Sequence, residues 1–216
     1  MEKQVIQLVA DTKLVAIVRG LEPKYCVPLA QAFYAGGIRA IEVTFNQKKP
    51  DEFYKTTDAI RAIKEAMGDR MAVGAGTVTS VALVELAHGA GAEFIVSPDM
   101  NVDVIHRTKE LGMVSMPGAL TPTEIMTAHQ NGADFVKVFP AGCLGAGYIK
   151  AIRGPINHVP LLAVGGVSEK NAGEFMKAGC AGIGAGGNLV NKQWIEAGEF
   201  DKITALAKEF IRALAE

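Results

Sequence analysis

The stretch MVSMPGALTPTEIMTAHQNG, residues 113–132, holds one complete unit of the architecture. MVSMPG (113–118) is a short apolar run with the length and character of a buried strand. Thr121 then stands as a helix N-cap, with Glu124 three residues on, ahead of the amphipathic segment TPTEIMTAHQNG. The same succession repeats along the chain. LVAIVR (14–19) precedes a helix opening at Pro23, AIEVTF (40–45) one beginning near Asp51, and AVGAGT (72–77) the segment SVALVELAHGA. EFIVSP (93–98) precedes DVIHRTKELG, and FVKVFPA (135–141) precedes a helix around Tyr148 to Ile152. LLAVGG (161–166) precedes SEKNAGEFMKAG, with Ser168 as its expected cap, and GIGAGG (182–187) precedes a final helical region ending at Leu214. Eight such units behind a short leading helix (2–10) predict a single (β/α)₈ TIM barrel over residues 1–216, an α/β fold. Alternation alone does not decide closure, so a doubly wound open sheet competes; the strand count favours the barrel.

Composition narrows the function classes. The chain has 216 residues, 49% hydrophobic and 21% charged, with a formal net charge of −1, so no excess of bases points to nucleic acid or a membrane surface. Its apolar runs are too short to span a bilayer, and MEKQVIQLVADTKL lacks a signal-peptide pattern. Cys26, Cys143 and Cys180 are widely spaced and form no CxxC pair, which predicts reduced core thiols in a cytoplasmic protein.

In a (β/α)₈ barrel the chemistry gathers at the C-terminal ends of the strands. Lys137 sits inside the apolar run FVKVF, where alternation groups it with Phe135 and Phe139 on the interior face. In AIEVTF the same rule groups Glu42 with Ala40 and Thr44, facing the same interior. Arg19 ends the first strand and Thr77 the third. A lysine in a dry pocket has its ammonium form penalised, which frees an amine able to attack a carbonyl and form a Schiff base. A nearby carboxylate can shuttle protons, and an arginine at the mouth can clamp a substrate carboxylate. Lys137 and Glu42 are therefore the candidate catalytic pair of a class I aldolase acting on a 2-oxo acid, with Arg19 as a binding group. The competing reading of the pair is a salt bridge that only closes the barrel.

Pro98, Phe139 and Thr77, all at strand ends, join Arg19 as candidate substrate contacts. The turns VGGVS (164–168) and GAGGN (184–188) follow the last two strands, where barrels often bind phosphate through backbone N–H groups. Gly165, Gly166, Gly186 and Gly187 are thus candidates for an anion, unless they serve only to make tight turns. His88, His106, His129 and His158 fall on helix-like segments or in a loop and are expected at the surface. No HxH, HExxH or Cys/His cluster suggests a metal, no GxSxG elbow suggests a serine nucleophile, and no cofactor is expected.

With those residues identified, AIVRG, AGGIRAIEVTF, VGAGTV, EFIVSP, MPGALTPTE, FVKVFPA with GYIKAIRGP, and LLAVGGVS occur together and in order. The set resembles the 2-keto-3-deoxy-6-phosphogluconate (KDPG) and 4-hydroxy-2-oxoglutarate (KHG) aldolases. The resemblance implies a homotrimeric class I aldolase on a (β/α)₈ barrel. It would cleave a 2-oxo-4-hydroxy acid to pyruvate and an aldehyde, either glyceraldehyde 3-phosphate or glyoxylate. It further implies Lys137 as the Schiff-base lysine, Glu42 as general acid/base, and Thr77 and Arg19 as contacts to the pyruvate-derived part. Three positions depart from the family pattern: Asn46 where many members have arginine, Val164 in place of the TGG threonine, and Gly187 in place of a serine. Open alternatives are an unphosphorylated 2-keto-3-deoxy sugar acid as substrate, a phosphate-binding isomerase or epimerase, and a non-catalytic barrel.

Overall fold

The computed structural model describes residues Glu2–Ala215. Parallel strands β1 (Leu14–Val18), β2 (Ala40–Thr44), β3 (Ala72–Gly76), β4 (Phe94–Val96) and β5 (Val114–Met116) are followed by β6 (Gly118–Ala119). The series ends with β7 (Val136–Val138), β8 (Leu161–Val164) and β9 (Gly182–Ala185). Their spatial order is β5-β4-β3-β2-β1-β9-β8-β7-β6. The two ends of that order, β5 and β6, are successive pieces of one strand, so the sheet closes on itself and the open-sheet alternative is excluded.

Pro117 makes the break between β5 and β6. It has no N–H to donate to a ladder, yet its carbonyl still accepts from Lys137 N at 2.9 Å. Gly118 follows because a Cβ there would collide with the Pro98 carbonyl. The capping box read from the sequence is present, with Thr121 and Glu124 closing the start of α6 (Pro122–Gln130) reciprocally.

The interior holds two layers. Val5 and Val9 of α1 (Glu2–Thr12) pack with Val15, Ala40, Ala72, Phe94, Val114, Phe135 and Leu162. This helix therefore plugs the N-terminal end of the barrel. Full burial of each valine contributes roughly 1.5–3 kcal/mol. Ile41, Val43, Val136 and Val138 belong instead to the outer layer under the helices. The alternation inferred for FVKVF and AIEVTF is thus the one the barrel adopts.

Several elements differ from the sequence expectation. Ser168 does not cap a helix: α8 (Ala172–Lys177) starts after Asn171. The reason is the glycine turn before it, where Gly165 and Gly166 take φ of 87° and 74°. Asn171 then braces that turn, its Nδ2 donating to Gly166 O and its Oδ1 accepting from Ser168 N. The helix expected around Tyr148–Ile152 starts earlier, as α7 (Ala141–Arg153), with a kink at Gly145. Cys26 and Cys180 are buried thiols, their pKa pushed up to about 12 by burial, but Cys143 is exposed. His129 is half-buried beside His158, with ring centroids 5.3 Å apart, and is not simply a surface residue. No helix among the described residues is long and apolar enough to cross a membrane.

Candidate active site

The middle strands of the barrel bring Lys137 and Glu42 into one layer. Glu42 lies opposite Ile17 on β1 and Gly74 on β3, and Lys137 opposite Gly118 on β6 and Leu162 on β8. Both are almost fully buried, 2% and 6% exposed. Together with Ile17, Val96, Met116, Val164 and Gly184 they line a small central void. Space for the carboxylate comes from Gly76, where a Cβ would collide with Glu42 Oε2.

The two side chains share this space without bonding to each other. Among the described residues Lys137 makes no ion pair, and Glu42 Oε2 is buried without a hydrogen-bond partner. A salt bridge serving only to close the barrel would place them in contact, because leaving either charge unpaired in the interior is costly. The Lys137 ammonium instead rests against an aromatic face, with Nζ 4.9 Å from the Phe139 ring centroid.

Burial pushes both groups toward their neutral forms. Desolvation raises the Glu42 pKa from 4.5 to about 7, against the opposing pull of Lys137 and Arg19. Desolvation likewise lowers the Lys137 pKa, with Arg19 acting in the same sense and the carboxylates of Glu42 and Asp99 opposing. A carboxyl that titrates near neutrality beside an amine with a weakened hold on its proton is equipped for both nucleophilic addition and proton transfer.

Above this layer the barrel opens into a cleft of about 640 Å³. Arg19, Lys137, Phe139, Gly165, Gly166, Gly186 and Gly187 all line it, so seven of the sequence-derived candidates converge. Gly142 at the start of α7 supports the first glycine turn. Its N–H donates to Gly165 O at 2.7 Å, and a Cβ there would lie 2.8 Å from both Gly165 O and Gly166 Cα.

Thr77 and Pro98 are not among the residues lining the cleft or the central void. Thr77 directly follows β3 in a left-handed conformation, φ 57°, its carbonyl accepting from Gln47 Nε2 at 2.8 Å. Pro98 is half-buried with its carbonyl against Gly118, so it forms part of the wall's backing.

Other cleft residues escaped the sequence reading: Ile17, Val167, Asn188, Val190 and Lys192. Ile17 lies two residues before Arg19, the strand end that supplied a candidate. Asn188, Val190 and Lys192 follow the last glycine turn, where no periodic pattern marks their direction.

The sequence matches, over residues 5–206, the family model described as KDPG and KHG aldolase. It is 35% identical to the 2-dehydro-3-deoxy-6-phosphogalactonate aldolase of Escherichia coli (strain K12), with 94% of this chain and 95% of that protein covered. It is 33% identical to the KHG/KDPG aldolase of the same organism, over 91% of this chain and 89% of the relative. Among solved structures, a native KDPGal structure is 33% identical with a TM-score of 0.84, covering 94% of each chain. The KDPG aldolase of Legionella pneumophila, solved with pyruvate captured at low pH as a covalent carbinolamine intermediate, is 26% identical. It also superposes with a TM-score of 0.84, over 94% of this chain and 96% of that one. Taken with a barrel that buries a lysine beside a carboxyl under an open cleft, these matches show that the chain belongs to the KDPG and KHG aldolase family, a Schiff-base aldolase and so a carbon–carbon lyase.

Proposed function

We propose that this aldolase cleaves phosphorylated 2-keto-3-deoxy sugar acids to pyruvate and an aldehyde phosphate, using Lys137 as nucleophile and Glu42 as proton carrier. The observation that carries the reading is the buried, unpaired Lys137 amine opening upward into the cleft. Nζ, as the neutral amine, adds to the 2-oxo carbon, and the neutral Glu42 carboxyl gives its proton to the departing hydroxyl, so that loss of water from the carbinolamine leaves a protonated imine beside the Glu42 carboxylate. The Glu42 carboxylate takes the proton of the 4-hydroxyl as the bond between carbons 3 and 4 breaks. That bond's electrons flow into the imine to give an enamine, and the aldehyde departs. Glu42 returns its proton to carbon 3, and hydrolysis of the resulting protonated imine releases pyruvate and the neutral Lys137 amine, the surplus proton passing back to the Glu42 carboxylate. Glu42, with its pKa raised to about 7, can accept and return a proton near neutral pH.

Arg19 at the rim suits the substrate carboxylate, and the two glycine turns suit the phosphate. Thr77 keeps the role that the family resemblance implies, as a contact to the pyruvate-derived portion. Val164 and Gly187 remove hydroxyls that relatives offer, and each neutral hydrogen bond is worth about 0.5–1.5 kcal/mol. The phosphate preference is therefore expected to be weaker than in relatives by roughly five- to a hundred-fold. The reading includes a cytoplasmic homotrimer, in keeping with the family resemblance and with three free cysteines.

Borohydride reduction in the presence of pyruvate tests the chemistry. A covalent mass should appear on the peptide containing residue 137, and Lys137→Arg should lose both adduct and turnover. An active wild-type protein without that adduct would sink the imine assignment and favour an isomerase. Comparing kcat/KM for KDPG, its 4-epimer from the galactonate series, the unphosphorylated acid and 4-hydroxy-2-oxoglutarate identifies the substrate. A KDPG preference above about ten-thousand-fold over the unphosphorylated acid, roughly 5.5 kcal/mol, would overturn the reading of the lost hydroxyls.

A further inference from the structure

Lys192 opens the short helix α9 (Lys192–Glu196), just beyond the glycine turn that follows β9. Its side chain lines the cleft, and its Nζ donates to Gly20 O at 3.0 Å. That bond ties the turn after β1 to the segment after β9 and holds the ammonium at the rim. An ammonium carries three N–H groups, so two remain for a ligand. Gly20 directly follows Arg19, which places two cations on the same edge of the cleft.

No carboxylate lines that cleft, and among the described residues neither Arg19 nor Lys192 forms an ion pair. Val164 and Gly187, which carry no hydroxyl, line the same cleft. The local field is therefore positive beside two positions that offer no hydroxyl donor. A charge-assisted hydrogen bond to a phosphoryl oxygen is about twice as strong as a neutral one. One cation therefore supplies part of what two neutral donors would.

We propose that Lys192 is the specificity-determining residue for the phosphoryl end of the substrate, its ammonium anchored on the Gly20 carbonyl and bonding a phosphoryl oxygen. The inference rests on the aldolase reading above. It deepens that reading by assigning the phosphate preference to one cation in place of hydroxyls. It leaves Arg19 for the substrate carboxylate.

Two substitutions separate charge from tether. Lys192→Gln keeps a donor that can reach toward Gly20 O but removes the charge, and Lys192→Arg keeps the charge. The quantity read is the ratio of kcat/KM for KDPG over its unphosphorylated counterpart. Lys192→Gln should lower that ratio about 10- to 100-fold, chiefly through KM, the usual worth of a charge-assisted hydrogen bond. Lys192→Arg should hold the ratio within about threefold. Because Lys192 is exposed, the wild-type ratio should also fall as salt rises, and the Lys192→Gln ratio should not. A residue that only tethers the loop gives neither the charge nor the salt dependence.

Calorimetric titration with inorganic phosphate supplies a readout that needs no turnover, and Lys192→Gln should bind it at least about tenfold more weakly. A ratio for Lys192→Gln within about threefold of wild type, equal phosphate affinities, or no phosphate uptake by the wild type would each overturn the assignment. If Lys192-dependent phosphate binding is found but no 2-oxo acid is cleaved and no imine is trapped, the aldolase reading fails and the anion site stands.

Discussion

Replacing Glu42 with Gln should cost activity and yet remove a pH-dependent burden on stability. The Glu42 carboxyl is fully buried with one oxygen unpartnered, and burial lifts its pKa from 4.5 to about 7. The folded protein therefore holds a proton that the unfolded chain releases earlier. Stability from this group is fully present below about pH 4.5 and is lost as pH rises through about 7. At about 1.4 kcal/mol per pH unit of altered proton affinity, the loss reaches roughly 3 kcal/mol once both states are ionised. Roughly 2 kcal/mol of that falls between pH 5 and pH 7. Lys137 has the opposite sign. Its lowered pKa adds stability as pH rises from its folded value toward the ordinary lysine range. Urea unfolding of wild type and Glu42→Gln at pH 5 and pH 7 reads the carboxyl together with its coupling to Lys137, because groups that do not face it cancel to first order in the difference. The variant should gain roughly 2 kcal/mol on the wild type across that interval while losing about 10²- to 10⁴-fold in kcat. A difference constant to within about 0.5 kcal/mol would mean that Glu42 titrates as an ordinary exposed carboxyl, and the dry-pocket account of this site would fall.

Gly142→Ala should press a methyl group onto backbone atoms of the Gly165–Gly166 turn, 2.8 Å away at the nearest. The expected result is a loss of about 1–3 kcal/mol in urea unfolding and weaker inhibition by phosphate, with pyruvate trapping at Lys137 retained. Unchanged phosphate inhibition would show that the turn does not hold the anion. Val9→Ala, in the helix that plugs the barrel floor, should destabilise by roughly 1–3 kcal/mol and leave kcat within about twofold. A large kcat loss in that folded variant would mean that the plug communicates with the upper layer of the interior.

The repeated succession of apolar run and amphipathic segment determined the fold class, because strand and helix periods are local properties of the chain. The same period-2 rule put Lys137 and Glu42 on the interior face, and strand ends marked Arg19, Phe139 and the four glycines. Closure was beyond it. Whether the first and last positions of the sheet meet depends on the split at Pro117, which lets β5 pair with β4 while β6 pairs with β7. The cap expected at Ser168 failed for a related reason. Two left-handed glycines and the Asn171 brace override a local capping signal, and no single-residue preference encodes such a turn. Tertiary structure alone also showed that Lys137 and Glu42 share a void without forming an ion pair. It likewise brought Lys192, 172 residues from Gly20, onto the rim beside Arg19. Distances between segments so far apart in the chain are set by how the closed barrel packs, and local sequence carries no record of them.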